Sequence, residues 1–126
     1  MTDARRVLLV DDSTTTCAVV AKILRECGFE HIEVVHDGQA ALDCLRDSKF
    51  EIILCDWEMT PLSGVDVLNE IRRNTETKRP SFILMSAKKE LEWILAAKKA
   101  GADSMITKPF NAKVLKAKIN QLGWRN

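Results

Sequence analysis

The chain of 126 residues lacks long hydrophobic runs and lacks an excess of charge of either sign. None of its apolar stretches approaches the roughly 18 residues that a membrane-spanning helix requires. Lysine and arginine number 19 against 18 for aspartate and glutamate, so the formal net charge is +1. Proteins that bind nucleic acids or anionic membrane surfaces usually carry a basic excess. The sequence therefore predicts that the chain binds neither membranes nor nucleic acids.

The sequence also lacks low-complexity tracts, repeats and linker-like stretches. With 46% hydrophobic and 29% charged residues, it has the composition of a folded globular protein. At about 100–200 residues per domain, residues 1–126 are expected to form a single domain. The first apolar stretch, residues 7–10, is too short for the core of a signal peptide, which predicts a cytoplasmic protein.

Cysteine is present, but never in the C-x-x-C spacing that is typical of zinc sites. Each of the four cysteines lies within or beside an apolar stretch, so we expect buried free thiols in a reducing compartment and no zinc centre. The two histidines flank the second predicted strand, away from the expected site, and we assign them no role. These residues are Cys17, Cys27, Cys44, Cys55, His31 and His36.

Five short apolar runs alternate with five stretches whose apolar residues recur at helical spacing. An apolar run without alternation is typical of a strand covered on both faces. Ser13 and Gly101 are typical start and stop residues of helices. The order predicts an α/β protein of flavodoxin-like (βα)5 architecture, a doubly wound five-stranded parallel sheet in strand order 2-1-3-4-5 with helices on both faces. The predicted strands are residues 7–10, 32–35, 52–55, 82–85 and 104–107.

Polar residues follow four of the predicted strands at the point where each strand ends. Asp11 and Asp12 follow the first strand, Asp56 the third, Ser86 the fourth and Lys108 the fifth. The carboxyl ends of parallel strands share one edge of the sheet, which is where ligands bind in this architecture. We therefore expect three carboxylates, a hydroxyl and an ammonium group to converge there.

This set of groups indicates phosphoryl transfer. Clustered carboxylates repel one another unless a cation joins them, and carboxylate ligands with several retained waters are typical of Mg²⁺. A metal ion and a lysine can neutralise phosphoryl oxygens, a hydroxyl can donate to them, and a free carboxylate can be the nucleophile.

Short motifs mark five loops that follow strands or helices. They are Val10-Asp11-Asp12-Ser13, Cys55-Asp56-Trp57-Glu58-Met59, Met85-Ser86-Ala87, Gly101-Ala102-Asp103 and Thr107-Lys108-Pro109-Phe110. In this order they resemble the receiver domain of bacterial two-component response regulators, most closely the single-domain, chemotaxis-type (CheY-like) regulators. The resemblance covers residue 7 to about residue 122, and all five motifs together are highly specific.

The resemblance implies that Asp56 accepts a phosphoryl group from a histidine kinase or a phosphotransfer protein. It also implies Mg²⁺ or Mn²⁺ as the cofactor. Asp12 would bind the ion directly, Asp11 mainly through water, and Asp56 and the backbone carbonyl of Glu58 would complete the protein ligands. Such a domain catalyses its own phosphorylation and dephosphorylation, and is not an enzyme for an external substrate.

The resemblance further assigns the groups that would meet the phosphoryl group. Ser86 would be the switch hydroxyl, Lys108 would pair with phosphoryl oxygens, and the Lys108–Pro109 bond would be cis. Output would leave through the face of helix 4, strand 5 and helix 5, where Trp93 or Ile94 would be exposed. The expected partner is a downstream effector protein, with the chain a monomer or weak dimer.

Several residues depart from the family pattern. Met105 stands where the family usually has Tyr or Phe, and its thioether can fill the same pocket without a hydroxyl. Glu58 and Lys88 are expected to pair across the mouth of the site and to slow the approach of water to the phosphoryl group. Trp57 is expected to be partly exposed. Pro61 lies one residue later than the family's proline, so this loop is expected to run differently.

Three other functions have weaker support. A receiver-fold interaction module that is never phosphorylated is the main alternative, and Met105 leaves some room for it. A flavin-binding electron carrier would need a glycine in the hydroxyl-rich loop 13–16, which has none. An aspartate-nucleophile phosphohydrolase would need a second aspartate two residues after its nucleophile, and neither Asp12 nor Asp56 has one.

Overall fold

The structure, a computed structural model, describes residues 3–73 and 79–123. Within these residues, five strands alternate with five helices. The strands are β1 (Asp3–Val10), β2 (Phe29–Val35), β3 (Ile52–Asp56), β4 (Ser81–Ser86) and β5 (Ser104–Thr107). The helices are α1 (Thr14–Glu26), α2 (Gly38–Asp47), α3 (Gly64–Arg73), α4 (Leu91–Ala100) and α5 (Ala112–Gln121).

The strands form one parallel sheet in the order β2-β1-β3-β4-β5. This confirms the architecture that the alternation of apolar runs predicted. Strands β1 and β2 begin earlier than their apolar runs, and Asp3 pairs with Phe29 and Arg6 with His31. Because β2 lies at the edge of the sheet, polar side chains at its start reach solvent while its backbone still pairs with β1.

Two hydrophobic cores lie on opposite faces of the sheet. Alternate residues of β1 point to each: Val7 and Leu9 join the first core, and Leu8 and Val10 join the second. Helices α1 and α5 supply the first core, while α2, α3 and α4 supply the second. Burial on both faces explains why the central strands are continuously apolar.

Side chains and glycines set the ends of the helices that lead away from the sheet. The Ser13 side chain accepts from the Thr16 backbone N–H and caps α1. Asp37 caps α2 in the same way, and Gly101 ends α4 in the left-handed conformation with φ of 96°. The predicted start at Ser13 and stop at Gly101 are therefore confirmed.

The four cysteines are free thiols. Cys17, Cys27 and Cys55 are buried as predicted, whereas Cys44 on α2 is only half-buried. In the described part of the chain, no helix combines the length and the apolar character needed to cross a bilayer.

A cluster of charges closes the amino end of the sheet. Asp103, directly before β5, accepts hydrogen bonds from Arg72 (3.0 Å), Arg79 (3.0 Å) and the Phe82 backbone N–H (2.8 Å). Arg72 also donates to the carbonyls of Gly101 and Pro80. The cluster thereby joins the end of α3 to the starts of β4 and β5.

Candidate functional site

The carboxyl edge of the sheet gathers the residues that end β1, β3, β4 and β5, because these strands are consecutive neighbours. Asp56 and Ser86 are the last residues of β3 and β4, and Asp11 and Lys108 come directly after β1 and β5. Asp11 is 1% exposed, Asp56 4% and Ser86 0%. The edge therefore holds polar side chains that are largely withdrawn from solvent.

Three carboxylates converge at this edge. One oxygen from each of Asp11, Asp12 and Asp56 lies within 4.8 Å of the others, with Asp11 and Asp56 buried and Asp12 exposed. Carboxylate oxygens are the ligands that Mg²⁺ prefers, and an exposed member leaves room for the waters that Mg²⁺ retains. The donor set fits a divalent cation.

Lys108 supplies the positive charge that the carboxylates share. Its Nζ atom lies 3.0 Å from Asp56 Oδ1 and 3.3 Å from Asp11 Oδ2. Burial opposes the charged form, but the two carboxylates outweigh it and raise the pKa of Lys108. The lysine is therefore held as a cation between two of the three acids.

The electrostatics of Asp56 are unusual for a carboxylate. Burial raises its pKa to about 6, the charges of Asp11 and Glu58 act in the same direction, and the hydrogen bond and charge of Lys108 oppose them. Burial is the largest of these effects, and Lys108 does not offset it. At neutral pH most Asp56 side chains are still ionised, as a nucleophile must be.

Gly64 lets the chain pass close to Asp56. A Cβ atom at residue 64 would lie 2.5 Å from the Asp56 carbonyl oxygen and 2.8 Å from Leu84 Cδ2. The Gly64 N–H also donates to the Trp57 carbonyl at 3.0 Å. The start of α3 therefore packs directly on the backbone that carries the Asp56 carboxylate, a role of Gly64 that the sequence analysis did not assign.

The Ser86 hydroxyl is held at the rim of the site. It donates to Glu58 Oε1 at 2.7 Å and accepts from the Lys88 backbone N–H at 3.0 Å. A hydroxyl has one hydrogen to donate, so Ser86 cannot donate to another acceptor while it bonds to Glu58.

Comparison with known proteins decides the family. The family model that describes the response regulator receiver domain matches residues 7–120 of the sequence. This chain belongs to the response regulator receiver family. The chemotaxis protein CheY-3 of Vibrio cholerae is 34% identical over 117 residues, which cover 93% of this chain and 90% of that protein. The chemotaxis protein CheY of Pseudomonas aeruginosa is 32% identical over 117 residues, 93% of this chain and 94% of that protein.

Solved structures agree with this assignment. The chemotaxis response regulator CheY4 of Vibrio cholerae superimposes with a TM-score of 0.86 at 25% identity, covering 95% of this chain and 99% of that one. The chain is therefore a CheY-like receiver domain of the two-component response regulators, and the resemblance drawn from its motifs is confirmed.

The rim of this receiver domain differs from the sequence-based prediction. In the described residues, Glu58 and Lys88 form no ion pair, because Glu58 binds the Ser86 hydroxyl and Lys88 Nζ lies 5.4 Å from the centre of the Trp93 ring. The prediction that they pair across the mouth was wrong. The prediction rested only on the spacing of the two residues from Asp56 and Ser86. It did not consider that the Ser86 hydroxyl is available to Glu58 and that the Trp93 ring is available to Lys88.

Trp57 is also placed differently from the prediction. It is 9% exposed and packs edge-on against Trp93 on α4, with ring centres 5.0 Å apart and an interplanar angle of 83°. Trp57, which was expected to be partly exposed, is therefore a core residue. Trp93 is half-buried against the same core, so only part of its side chain is accessible to a partner.

Met105 lies on β5, opposite Leu84 of β4, and packs against the second core. Of the apolar side chains on α4, Leu91 is 67% exposed, Ile94 46% and Leu95 55%. The structure therefore places exposed apolar groups on α4 beside the strand that carries Met105.

The peptide bonds Lys108–Pro109 and Thr60–Pro61 are both cis. The first had been expected from the resemblance, and the second had not. The structure does not single out the backbone carbonyl of Glu58 as a metal ligand, so that role stays a prediction.

His36 lies beside the site, contrary to the expectation that both histidines are remote from it. Its Nδ1 atom is 3.1 Å from the backbone carbonyl oxygen of Asp11. The strand order contained the signal: β2 is the neighbour of β1, so the residue after β2 lies near the residue after β1. His31, at the other end of β2, pairs with Arg6 in the sheet and is remote from the acids.

Proposed function

We propose that this receiver domain accepts a phosphoryl group on Asp56 from a histidine kinase or a phosphotransfer protein, with Mg²⁺ or Mn²⁺ as cofactor. The observation that carries the proposal is the position of Asp56: a buried carboxylate, bonded to Lys108 and grouped with two further acids at the edge of the sheet. Family membership supports the same reading.

In this proposal each group around Asp56 has a chemical task. An Asp56 oxygen forms a bond to phosphorus while the phosphorus–nitrogen bond of the donor phosphohistidine breaks and the imidazole leaves. Asp11, Asp12, Asp56 and the carbonyl of Glu58 would hold the metal ion. When bound, the ion neutralises charge on the carboxylates and on the phosphoryl oxygens. Lys108 is already within 3.0 Å of Asp56 and would pair with a phosphoryl oxygen.

The Ser86 hydroxyl would provide the conformational response. It can donate to a phosphoryl oxygen only after it leaves Glu58, because it has a single hydrogen. Phosphorylation would therefore break the bond between Ser86 and Glu58. Glu58 and Lys88, proposed as modulating residues, would act through separate contacts with Ser86 and Trp93 rather than through each other.

The output surface would be the face of α4, β5 and α5. Support comes from Leu91, Ile94 and Leu95, which are exposed on α4, and from Met105 beside them on β5. Met105 would take the switch position that an aromatic residue usually holds. The partner would be an effector protein, with the chain a monomer or weak dimer in the cytoplasm. The chemotaxis names of its relatives supply one candidate pathway.

Intact mass spectrometry tests the proposal. The protein is incubated with acetyl phosphate, with and without Mg²⁺, alongside Asp56→Asn and the control Asp43→Asn on α2. We expect one added phosphoryl group in the parent and the Asp43 variant, only with Mg²⁺, and none in the Asp56 variant. Equal labelling of Asp56→Asn would refute the acceptor, and no labelling of any protein would favour the interaction module that is never phosphorylated.

A further inference from the structure

The peptide unit between Asp11 and Asp12 is held from two separate elements. His36 Nδ1, from the segment after β2, lies 3.1 Å from the Asp11 carbonyl oxygen, and Cys17 Sγ, from α1, lies 3.3 Å from the same oxygen. Cys17 Sγ also lies 3.7 Å from His36 Nδ1. Because a carbonyl can only accept, we infer the tautomer in which Nδ1 carries the hydrogen, so that Nδ1 and the thiol both donate to the Asp11 oxygen. Its two lone pairs have two protein donors.

Holding that oxygen fixes more than Asp11. A peptide unit is planar, so the Asp11 carbonyl and the Asp12 nitrogen rotate together. On the other side, the Asp11 N–H donates to the Val35 carbonyl at 3.2 Å, which holds the preceding peptide unit. The backbone on both sides of Asp11 is therefore set by contacts with β2, with the residue after it and with α1.

The side chains of the two acids differ in how they are held. Asp11 Oδ1 accepts from the Ser13 N–H at 2.9 Å, and Asp11 Oδ2 lies near Lys108 Nζ. Asp12 is exposed, and within the described part of the chain no hydrogen bond holds its carboxylate. The direction of the Asp12 carboxylate therefore depends on the backbone plane that His36 and Cys17 hold.

We propose that His36, together with Cys17, is a positioning residue that presets the angle between the Asp11 and Asp12 carboxylates for Mg²⁺. The inference rests on the proposed metal site. Mg²⁺ demands near-ideal octahedral geometry, whereas Ca²⁺ accepts irregular and flexible ligand sets. A loss of preset geometry should therefore weaken Mg²⁺ binding more than Ca²⁺ binding, and that difference distinguishes positioning from a general loosening of the fold.

The test titrates Mg²⁺ alone and Ca²⁺ alone into the whole chain and follows the amide resonances of residues 11–13. His36→Leu removes the donor, and His36→Asn replaces Nδ1 with an amide nitrogen at nearly the same place. Cys17→Ala and Cys17→Ser form a second pair that removes or keeps a donor to the same carbonyl. His31→Leu, on β2 upstream of His36 and remote from the acids, is the matched control.

We expect His36→Leu to raise the Kd for Mg²⁺ by about tenfold, as is typical when a group that orients a metal ligand is lost. The Kd for Ca²⁺ should rise by less than about threefold, because Ca²⁺ tolerates a distorted site. His36→Asn should recover most of the Mg²⁺ affinity, Cys17→Ala should weaken Mg²⁺ binding more than Cys17→Ser, and His31→Leu should match the parent.

The outcomes separate the two proposals. A parent protein that binds no Mg²⁺ at millimolar concentration refutes the metal site itself. A parent that binds, with His36→Leu unchanged, overturns the positioning role alone. Equal losses of Mg²⁺ and Ca²⁺ affinity, or equal losses in His36→Leu and His36→Asn, also overturn it, since they indicate a loosened fold or a site-independent effect.

Discussion

The two ends of the sheet both hold aspartates beside basic residues, but they balance charge in opposite ways. At the amino end, one carboxylate, Asp103, bonds to Arg72 and Arg79 and to a backbone N–H. At the carboxyl end, three carboxylates lie together, and the ammonium group of Lys108 contacts two of them, Asp11 and Asp56. Charge that is matched stabilises the fold, whereas charge left unmatched is available for a ligand. We therefore interpret the amino end as a cluster that stabilises the fold and the carboxyl end as the candidate ligand-binding site.

The largest effect is expected from breaking the amino-end cluster. Arg72→Ala removes hydrogen bonds to Gly101, Pro80 and Asp103 and leaves the carboxylate with fewer partners. We expect the free energy of unfolding in urea to fall by about 2–4 kcal/mol. The control Arg46→Ala breaks an exposed pair on α2 and should cost about 0–1 kcal/mol. Similar decreases in the free energy of unfolding in both variants would show that the amino-end cluster stabilises the fold no more than an exposed ion pair does.

Mg²⁺ should change the stability of the protein through the carboxyl end of the sheet and not through the amino-end cluster. Mg²⁺ binds the native state and relieves repulsion among the acids, so saturating Mg²⁺ should raise the free energy of unfolding by about 1–3 kcal/mol. Asp12→Asn should lose most of this gain, and Arg72→Ala should keep it although its baseline is lower. Thermal melting in EDTA and in millimolar Mg²⁺ measures both. An unchanged melting temperature in the parent would count against the metal site.

The raised pKa of Asp56 predicts how stability depends on pH in the absence of metal. Its ordinary value is 3.8 and the folded value is about 6, so the folded state binds the proton more tightly. This group therefore stabilises the fold fully below about 3.8 and loses that contribution as the pH rises through about 6. Between about pH 7.5 and pH 5, acidification should favour the parent over Asp56→Asn by about 1 kcal/mol. Parallel urea curves that show no such trend would indicate that Asp56 is not destabilised by burial.

The smallest effect is expected at the rim. Glu58→Ala frees the Ser86 hydroxyl for a phosphoryl oxygen, so beryllofluoride with Mg²⁺ should bind about two- to fivefold more tightly, a gain of up to about 1 kcal/mol. The control Glu92→Ala, an exposed acid on α4, should leave binding unchanged. Tryptophan fluorescence can follow the titration. Weaker binding in Glu58→Ala than in the control would mean that Glu58 assists the switch and does not restrain it.

The sequence was sufficient for the parts of the structure that burial determines. Continuous apolar runs, typical of strands buried on both faces, predicted the parallel sheet. The strand order then placed Asp11, Asp56, Ser86 and Lys108 at one edge. Residue identity is informative there because few residue types tolerate a covered strand, and because an edge shared by parallel strands needs no knowledge of side-chain angles.

The sequence was insufficient where a side chain chooses among several neighbours. Glu58 and Lys88 were expected to pair, but each has a different partner, and Trp57 packs inward against Trp93. Such choices depend on competing contacts of about 1 kcal/mol or less, which spacing along the chain does not resolve. His36 was missed for another reason. The predicted order of β2 and β1 already implied that it lies near Asp11, but its hydrogen-bond partner is a backbone carbonyl, so residue types give no sign of the contact.

The contrast between the two ends is tested most directly by one pair of isosteric variants. The free energies of unfolding of Asp56→Asn and Asp103→Asn are measured against the parent, in EDTA near neutral pH. Neutralising Asp56 removes a carboxylate that is destabilised by burial and by neighbouring acids, and should raise the free energy of unfolding by about 1–2 kcal/mol. Neutralising Asp103 unbalances the two arginines and should lower it by about 1–3 kcal/mol. Changes of the same sign in both variants would contradict the account.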